Sequence, residues 1–178
     1  KDAVVNILHW GGVIEALNGL DYKPTNWKIF LALHPGDKSP PETYQTLLKY
    51  SRVPVKAMTK DLISSSDMLP ATDVVIESAS TLGIEAACQR KPVINYFTEI
   101  ALERMKDSNG SRCWKPCQLG VAKEVRGEPR ELANTILELT LYNGFSVMKK
   151  RQEEIYPRPP EKGNAVRMMS DVLMELRR

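Results

Sequence analysis

The sequence predicts an α/β domain, doubly wound around a mainly parallel sheet, with proline-kinked helices at the C-terminal end. Three observations predict it: short β-branched runs alternate with helical patterns, two of those runs are almost continuously apolar, and no internal repeat breaks the alternation. Strand–helix alternation is the pattern of parallel sheets. Continuously apolar strands suit a sheet covered on both faces.

The first element is a helix. From Val4 to Leu17 apolar residues recur at Val4, Ile7, Leu8, Trp10, Val13, Ile14 and Leu17, a helical spacing weakened by Gly11-Gly12. Lys28 to His34 reads as a buried strand. Pro41 to Tyr50 reads as a helix, opened by a Ser-Pro-Pro start signal. Val53 to Met58 is the second strand. Asp61 to Leu69 has two readings: a short helix with a serine-rich exposed face, or a segment approaching a nucleotide base or ribose. Val74 to Glu77 is the third strand, Leu82 to Gln89 a short apolar helix, and Pro92 to Phe97 the fourth strand.

After a helix from Glu99 to Lys106, Asp107 to Pro116 reads as an exposed loop, and Gly120 to Val125 as a fifth strand. Pro129 stands like a first-turn proline for a helix reaching Leu141, with Leu132, Ile136 and Leu139 on one face. Tyr156-Pro157-Arg158-Pro159-Pro160 splits the C-terminal region into two helices, the second carrying the stripe Val166, Met169, Val172, Leu173 and Leu176.

Composition narrows the function classes. With 178 residues, 42% of them hydrophobic, the chain suits one self-sufficient domain. A formal charge of +3 spread along the sequence gives no basic stripe for nucleic acid. No apolar run approaches the roughly 20 residues a membrane-spanning helix needs, and the cysteine usage points to a cytoplasmic location. The chain begins without a start methionine, as if cut from something longer. Cys88, Cys113 and Cys117 are an odd count without zinc-site spacing, which favours reduced thiols. His9, within a helix, reads as structural.

Ligands of open α/β sheets bind beyond the C-terminal ends of the strands, and three turns there carry chemistry. The most informative follows the third strand: Glu77-Ser78-Ala79-Ser80-Thr81-Leu82-Gly83-Ile84-Glu85. Small and hydroxylated residues open a helix whose unpaired N–H groups and dipole favour a phosphate or diphosphate. Ser78, Ser80 and Thr81 add hydroxyl donors, Leu82 lies at the helix start, and Gly83 permits close backbone approach. Glu85 is placed to accept bonds from a sugar's vicinal hydroxyls. The competing reading makes Ser80 or Thr81 an N-cap with Glu85 as its capping-box partner.

The second turn, Leu33-His34-Pro35-Gly36-Asp37, puts His34 at the sheet edge, where Pro35 keeps the backbone extended. His34 is the candidate hydrogen-bond donor to a phosphate or sugar, set against a loop histidine satisfied by backbone. The third turn offers Thr98 and Glu99 as ligand contacts, with Thr98 equally an N-cap for the helix that follows. No GxGxxG or GxxxxGK[ST] is present. Lys149-Lys150-Arg151 and Arg177-Arg178 read as solvated charge.

Three pieces in this order resemble the C-terminal, donor-binding domain of GT-B-fold glycosyltransferases: a strand ending in His34-Pro35; the run Ala71-Thr72-Asp73-Val74-Val75-Ile76; and Ser80-Thr81-Leu82-Gly83-Ile84-Glu85-Ala86-Ala87 followed by Lys91-Pro92-Val93-Ile94. The resemblance covers residues 28 to 140 and is shared with lipid A disaccharide synthases, CDP-glycerol glycerophosphotransferases and UDP-N-acetylglucosamine 2-epimerases. It departs from the epimerases' paired glycines and adjacent glutamates, and from the aspartate-tyrosine-serine-serine run of the CDP-glycerol enzymes, where Glu77-Ser78-Ala79-Ser80 stands.

The resemblance implies a Rossmann-like half of a GT-B enzyme, with a core over residues 1–142 and crossing helices over 143–178. A nucleotide sugar would be the substrate, with no separate cofactor and no metal, its diphosphate held by Ser78 to Gly83 and its ribose by Glu85. His34 is the one candidate for a catalytic part. The acceptor, a sugar or a lipid-linked molecule, would be activated from a missing N-terminal domain, so this half alone would bind and catalyse little. A lipid acceptor would put the enzyme at the inner membrane surface. Two other functions stay open: a non-hydrolysing UDP-sugar 2-epimerase, and a flavodoxin-like or receiver-like binding module without catalysis.

Overall fold

The computed structural model describes residues 3–20, 27–32, 41–58, 64–104 and 114–157. The chain runs α1 (Ala3–Asn18), β1 (Ile29–Ala32), α2 (Pro41–Leu48), β2 (Val55–Met58), α3 (Ser65–Met68), a 3-10 turn (Leu69–Ala71) and β3 (Val75–Glu77). It continues through α4 (Thr81–Cys88), β4 (Val93–Phe97), α5 (Glu99–Arg104), α6 (Lys115–Gln118), β5 (Lys123–Arg126), α7 (Pro129–Leu141) and α8 (Phe145–Ile155). It is a Rossmann-like α/β fold with parallel strands.

Among the described residues the strands form two sheets rather than one: β1 beside β2, and β3-β4-β5 in that order. In the larger sheet Glu77, Asn95 and Glu124 stand in one row across the three strands. All five residues of β4 are buried, as expected for a central strand with helices over both faces.

Alternation along β4 separates those faces. Ile94 and Tyr96 join Val125 in a core with Val13, Ala16 and Leu17 of α1 and Leu132, Ile136 and Leu139 of α7. Val93, with Val75, joins the other core, made with Ala86 and Ala87 of α4. α7 is the simplest element to derive: Pro129 opens it, and Leu132, Ala133, Thr135, Ile136 and Leu139 make its buried stripe.

Two departures from the sequence expectations have physical causes. β5 begins at Lys123 rather than Gly120. Gly120 takes φ +72°, and the Val121 N–H donates to the Pro116 carbonyl at 3.0 Å, so the chain is still turning there. Of the loop expected from Asp107 to Pro116, residues 107–113 lie outside the described residues, and Lys115 and Pro116 open a short helix, α6. α8 ends at Ile155, just before the proline cluster; the stripe from Val166 to Leu176 lies outside the described residues.

α8 is tied down by polar contacts. Gln152, fully buried, donates from Nε2 to the carbonyls of Lys91 and Val121 at 2.9 and 3.0 Å. Arg90 takes φ +61° at the end of α4 and donates to the carbonyls of Ala87, Cys88 and Tyr156. Among the described residues no helix is long and apolar enough to cross a membrane.

Candidate functional site

A cleft of about 1140 Å³ opens between β1 and β3. His9 and Trp10 of α1 and Phe30 of β1 border it on one side. The Ser78–Leu82 turn, Glu85 and the serines Ser64–Ser66 border it on the other. Concave, largely apolar surfaces with a few convergent polar groups are where small ligands bind.

The turn between β3 and α4 is built by Glu77. This glutamate ends an apolar strand yet is only 6% exposed, and its Oε2 accepts the Ser80 N–H. The bond closes the turn and holds Ala79 at φ +51°, a left-handed conformation uncommon for a residue with a Cβ. Ser80 is the N-cap of α4: its Oγ accepts the Leu82 N–H at 3.2 Å, and its carbonyl accepts the Gly83 N–H at 3.1 Å. Three of the four amides from Ser80 to Gly83 therefore have acceptors within the chain.

Glu85 is not the capping-box partner of Ser80, because the third helical residue after that cap is Gly83. Two residues further on, it accepts a hydrogen bond from the Ser66 hydroxyl of α3. Ser66 belongs to the segment that reads from sequence as a short serine-rich helix. That helix is present, capped by Ser64, and its serines face the cleft.

Gly83 does permit a close approach, and Glu77 makes it: a Cβ at position 83 would lie 2.6 Å from Glu77 Oε1. Thr98 acts as the N-cap of α5, with its Oγ1 accepting the Ala101 N–H at 3.3 Å. Thr98 and Glu99 do not border the cleft, although Ala101 does. His34 lies outside the described residues. The cleft thus brings together Ser78, Ser80, Thr81, Leu82 and Glu85, with Gly83 just beneath.

His9 is buried, and its Nδ1 donates to the Tyr96 carbonyl at 3.2 Å. A carbonyl can only accept, so the ring proton sits on Nδ1 and Nε2 keeps its lone pair. Burial pulls its pKa from 6.5 to about 4, partly opposed by the Tyr96 bond. The ring is neutral at physiological pH and packs edge-on to Trp10 at 5.1 Å. Cys88 is raised above its ordinary pKa, first by burial, and so is a poor nucleophile. Among the described residues no cluster of three or more His, Cys, Asp or Glu side chains is placed to hold a metal ion.

Sequence reading missed two residues of this region. Glu77 carried a signal, a carboxylate at the end of an apolar strand and directly before a turn. Asn95 carried only a weak one, an amide inside the most apolar strand. It is fully buried, and neither its Nδ2 nor its Oδ1 has a hydrogen-bond partner among the described residues.

Fold and cleft together define a Rossmann-like α/β protein with a strand–turn–helix edge facing a cleft. No protein-family model matches the chain, and no curated protein matches it.

Proposed function

We propose that the chain binds the nucleotide-sugar donor of a glycosyltransferase, with the diphosphate at the Ser78–Leu82 turn. The observation that supports this most is the convergence of that turn and Glu85 on one cleft wall. Ser78, Ser80 and Thr81 supply hydroxyls, and the start of α4 supplies the positive end of a helix dipole. Glu85, oriented by Ser66, is the acceptor for ribose hydroxyls. The apolar remainder of the cleft, including Trp10 and Phe30, accommodates the base.

In glycosyl transfer the bond between anomeric carbon and diphosphate breaks while an acceptor hydroxyl attacks, and negative charge grows on the departing diphosphate. Donors fixed before the reaction stabilise that charge more than they stabilise the bound donor, which accelerates the step. The acceptor is a sugar or a lipid-linked molecule, the latter reached at a membrane surface. The base that deprotonates it is assigned to no described residue.

Calorimetry of this chain with UDP, CDP and GDP tests the proposal. At least one should bind, and Thr81→Ala and Glu85→Gln should each weaken it about tenfold, the value of a lost hydrogen bond to a charged group. Failure of all three nucleotides to bind the folded protein rejects it.

A further inference from the structure

The Ser78–Leu82 turn already holds an anion, the chain's own Glu77. Its carboxylate takes the Ser80 N–H and lies against Gly83, the region assigned above to the diphosphate. Both anions favour the same helix start and repel one another at short range. A bound diphosphate therefore requires Glu77 to give up its position or to be tolerated at a cost in affinity.

Beside Glu77 stands a group able to receive it. Asn95 is the register partner of Glu77 on β4. Parallel neighbours in register lie about 4.8 Å apart and project from the same face of the sheet. Asn95 is fully buried, and its Nδ2 donor has no partner among the described residues. An unsatisfied buried amide is costly, which calls for an acceptor in at least one functional state. The carboxylate on its other side, Glu124, has Oε1 engaged by Arg126 Nε at 2.5 Å, while its Oε2 is buried without a hydrogen-bond partner among the described residues.

We propose that Glu77 is a displaceable internal counter-anion of the diphosphate site, and that Asn95 receives its carboxylate when the ligand binds. Without ligand, Glu77 holds Ser80 and keeps the turn formed. With ligand, a phosphoryl oxygen accepts the Ser80 N–H, and the Glu77 carboxylate accepts from Asn95 Nδ2 instead. Glu77 thereby sets the affinity of the site and the speed with which diphosphate leaves. The inference rests on the proposed nucleotide-sugar function and deepens it.

The test is calorimetric titration of wild type, Glu77→Gln, Asn95→Leu and the double variant with pyrophosphate and UDP at fixed pH and salt. Glu77→Gln keeps an acceptor for Ser80 but removes the charge, so affinity should rise about tenfold. Asn95→Leu removes the receiving donor, so affinity should fall about tenfold in the wild-type background and change little in the Glu77→Gln background.

That coupling is what a merely structural Asn95 would not produce. Unchanged affinity in Glu77→Gln overturns the inference, as does an Asn95→Leu effect that is equal in both backgrounds. Glu77→Gln alone decides the matter should Asn95→Leu fail to fold. If neither probe binds wild type or Glu77→Gln, the donor-binding function itself is rejected and this inference with it. If UDP binds wild type but Glu77→Gln binds no tighter, only the counter-anion role falls.

Discussion

Gly83 lies directly over the carboxylate of Glu77, with the place a Cβ would occupy only 2.6 Å from Oε1 and 3.0 Å from Cδ. The first turn of α4 can seat on the end of β3 only because residue 83 has no side chain. This contact ties the shape of the turn to a single buried glutamate.

Opposing effects meet in Gly83→Ala. Alanine is the better helix former by about 1 kcal/mol, but its methyl displaces a buried carboxylate from the Ser80 N–H, an overpacking cost of about 1–3 kcal/mol. The expected net is a loss of up to about 2 kcal/mol. In a Glu77→Ala background the clash is gone, and Gly83→Ala should become neutral or stabilising. Urea denaturation of the four proteins reads the coupling; additive losses would show that Glu77 and Gly83 do not meet.

Gly12 makes the corresponding approach on the other face. A Cβ there would lie 2.7 Å from Cε1 and 2.8 Å from Cζ of Tyr96. Tyr96 is held from both ends, its hydroxyl donating to the Gly127 carbonyl at 2.9 Å and its carbonyl accepting from His9. The ring cannot yield without breaking the hydroxyl's bond to Gly127, so Gly12→Ala should cost about 2–3 kcal/mol. Gly11, with nothing near its Cβ direction, should gain up to about 1 kcal/mol as alanine. Equal effects at the two glycines in thermal melts would contradict this packing.

This pair shows what was legible in the sequence and what was not. The five strands and α7 could be read because β-branched runs and the Leu132-Ile136-Leu139 stripe are local patterns that tertiary packing reinforces. Gly11-Gly12 reads locally only as a weak point in a helix, since propensity carries no information about Tyr96, far along the chain. The Ser78–Gly83 turn was legible as a helix start rich in hydroxyls. That three of its amides are already engaged, the Ser80 N–H by Glu77, depends on side chains folding back within the turn. The Ser66–Glu85 bond depends on α3 meeting α4, and the Gln152 contacts depend on α8 meeting the chain just before β4 and β5. No spacing rule encodes such meetings.

His9 makes stability depend on pH in mild acid. Its pKa is about 4 in the fold against an ordinary 6.5, because burial disfavours the charged ring. Between those values the unfolded chain binds the proton and the folded one does not. The His9 contribution is thus complete above pH 6.5, is lost as pH falls from 6.5 to 4, and changes no further below. The loss amounts to about 3 kcal/mol at most. His9→Phe should flatten this limb of the stability curve, measured by urea midpoints from pH 7 to 4; an unchanged limb would assign it to other groups.

The bond between Ser66 and Glu85 gives the last prediction its form. Glu85 is exposed and, alone on α4, would sample several rotamers. The Ser66 hydroxyl fixes it while leaving a carboxylate, which accepts several bonds, able to take more. If Glu85 meets a ribose, Ser66 acts through it without touching the ligand. Ser66→Ala should then weaken UDP binding about threefold to tenfold, the cost of ordering one side chain on binding, while binding of pyrophosphate, which has no ribose, stays unchanged. Stability should shift by less than about 0.5 kcal/mol, since the pair is exposed. Equal weakening for both probes would place the effect on the turn itself and remove Glu85 from the ribose.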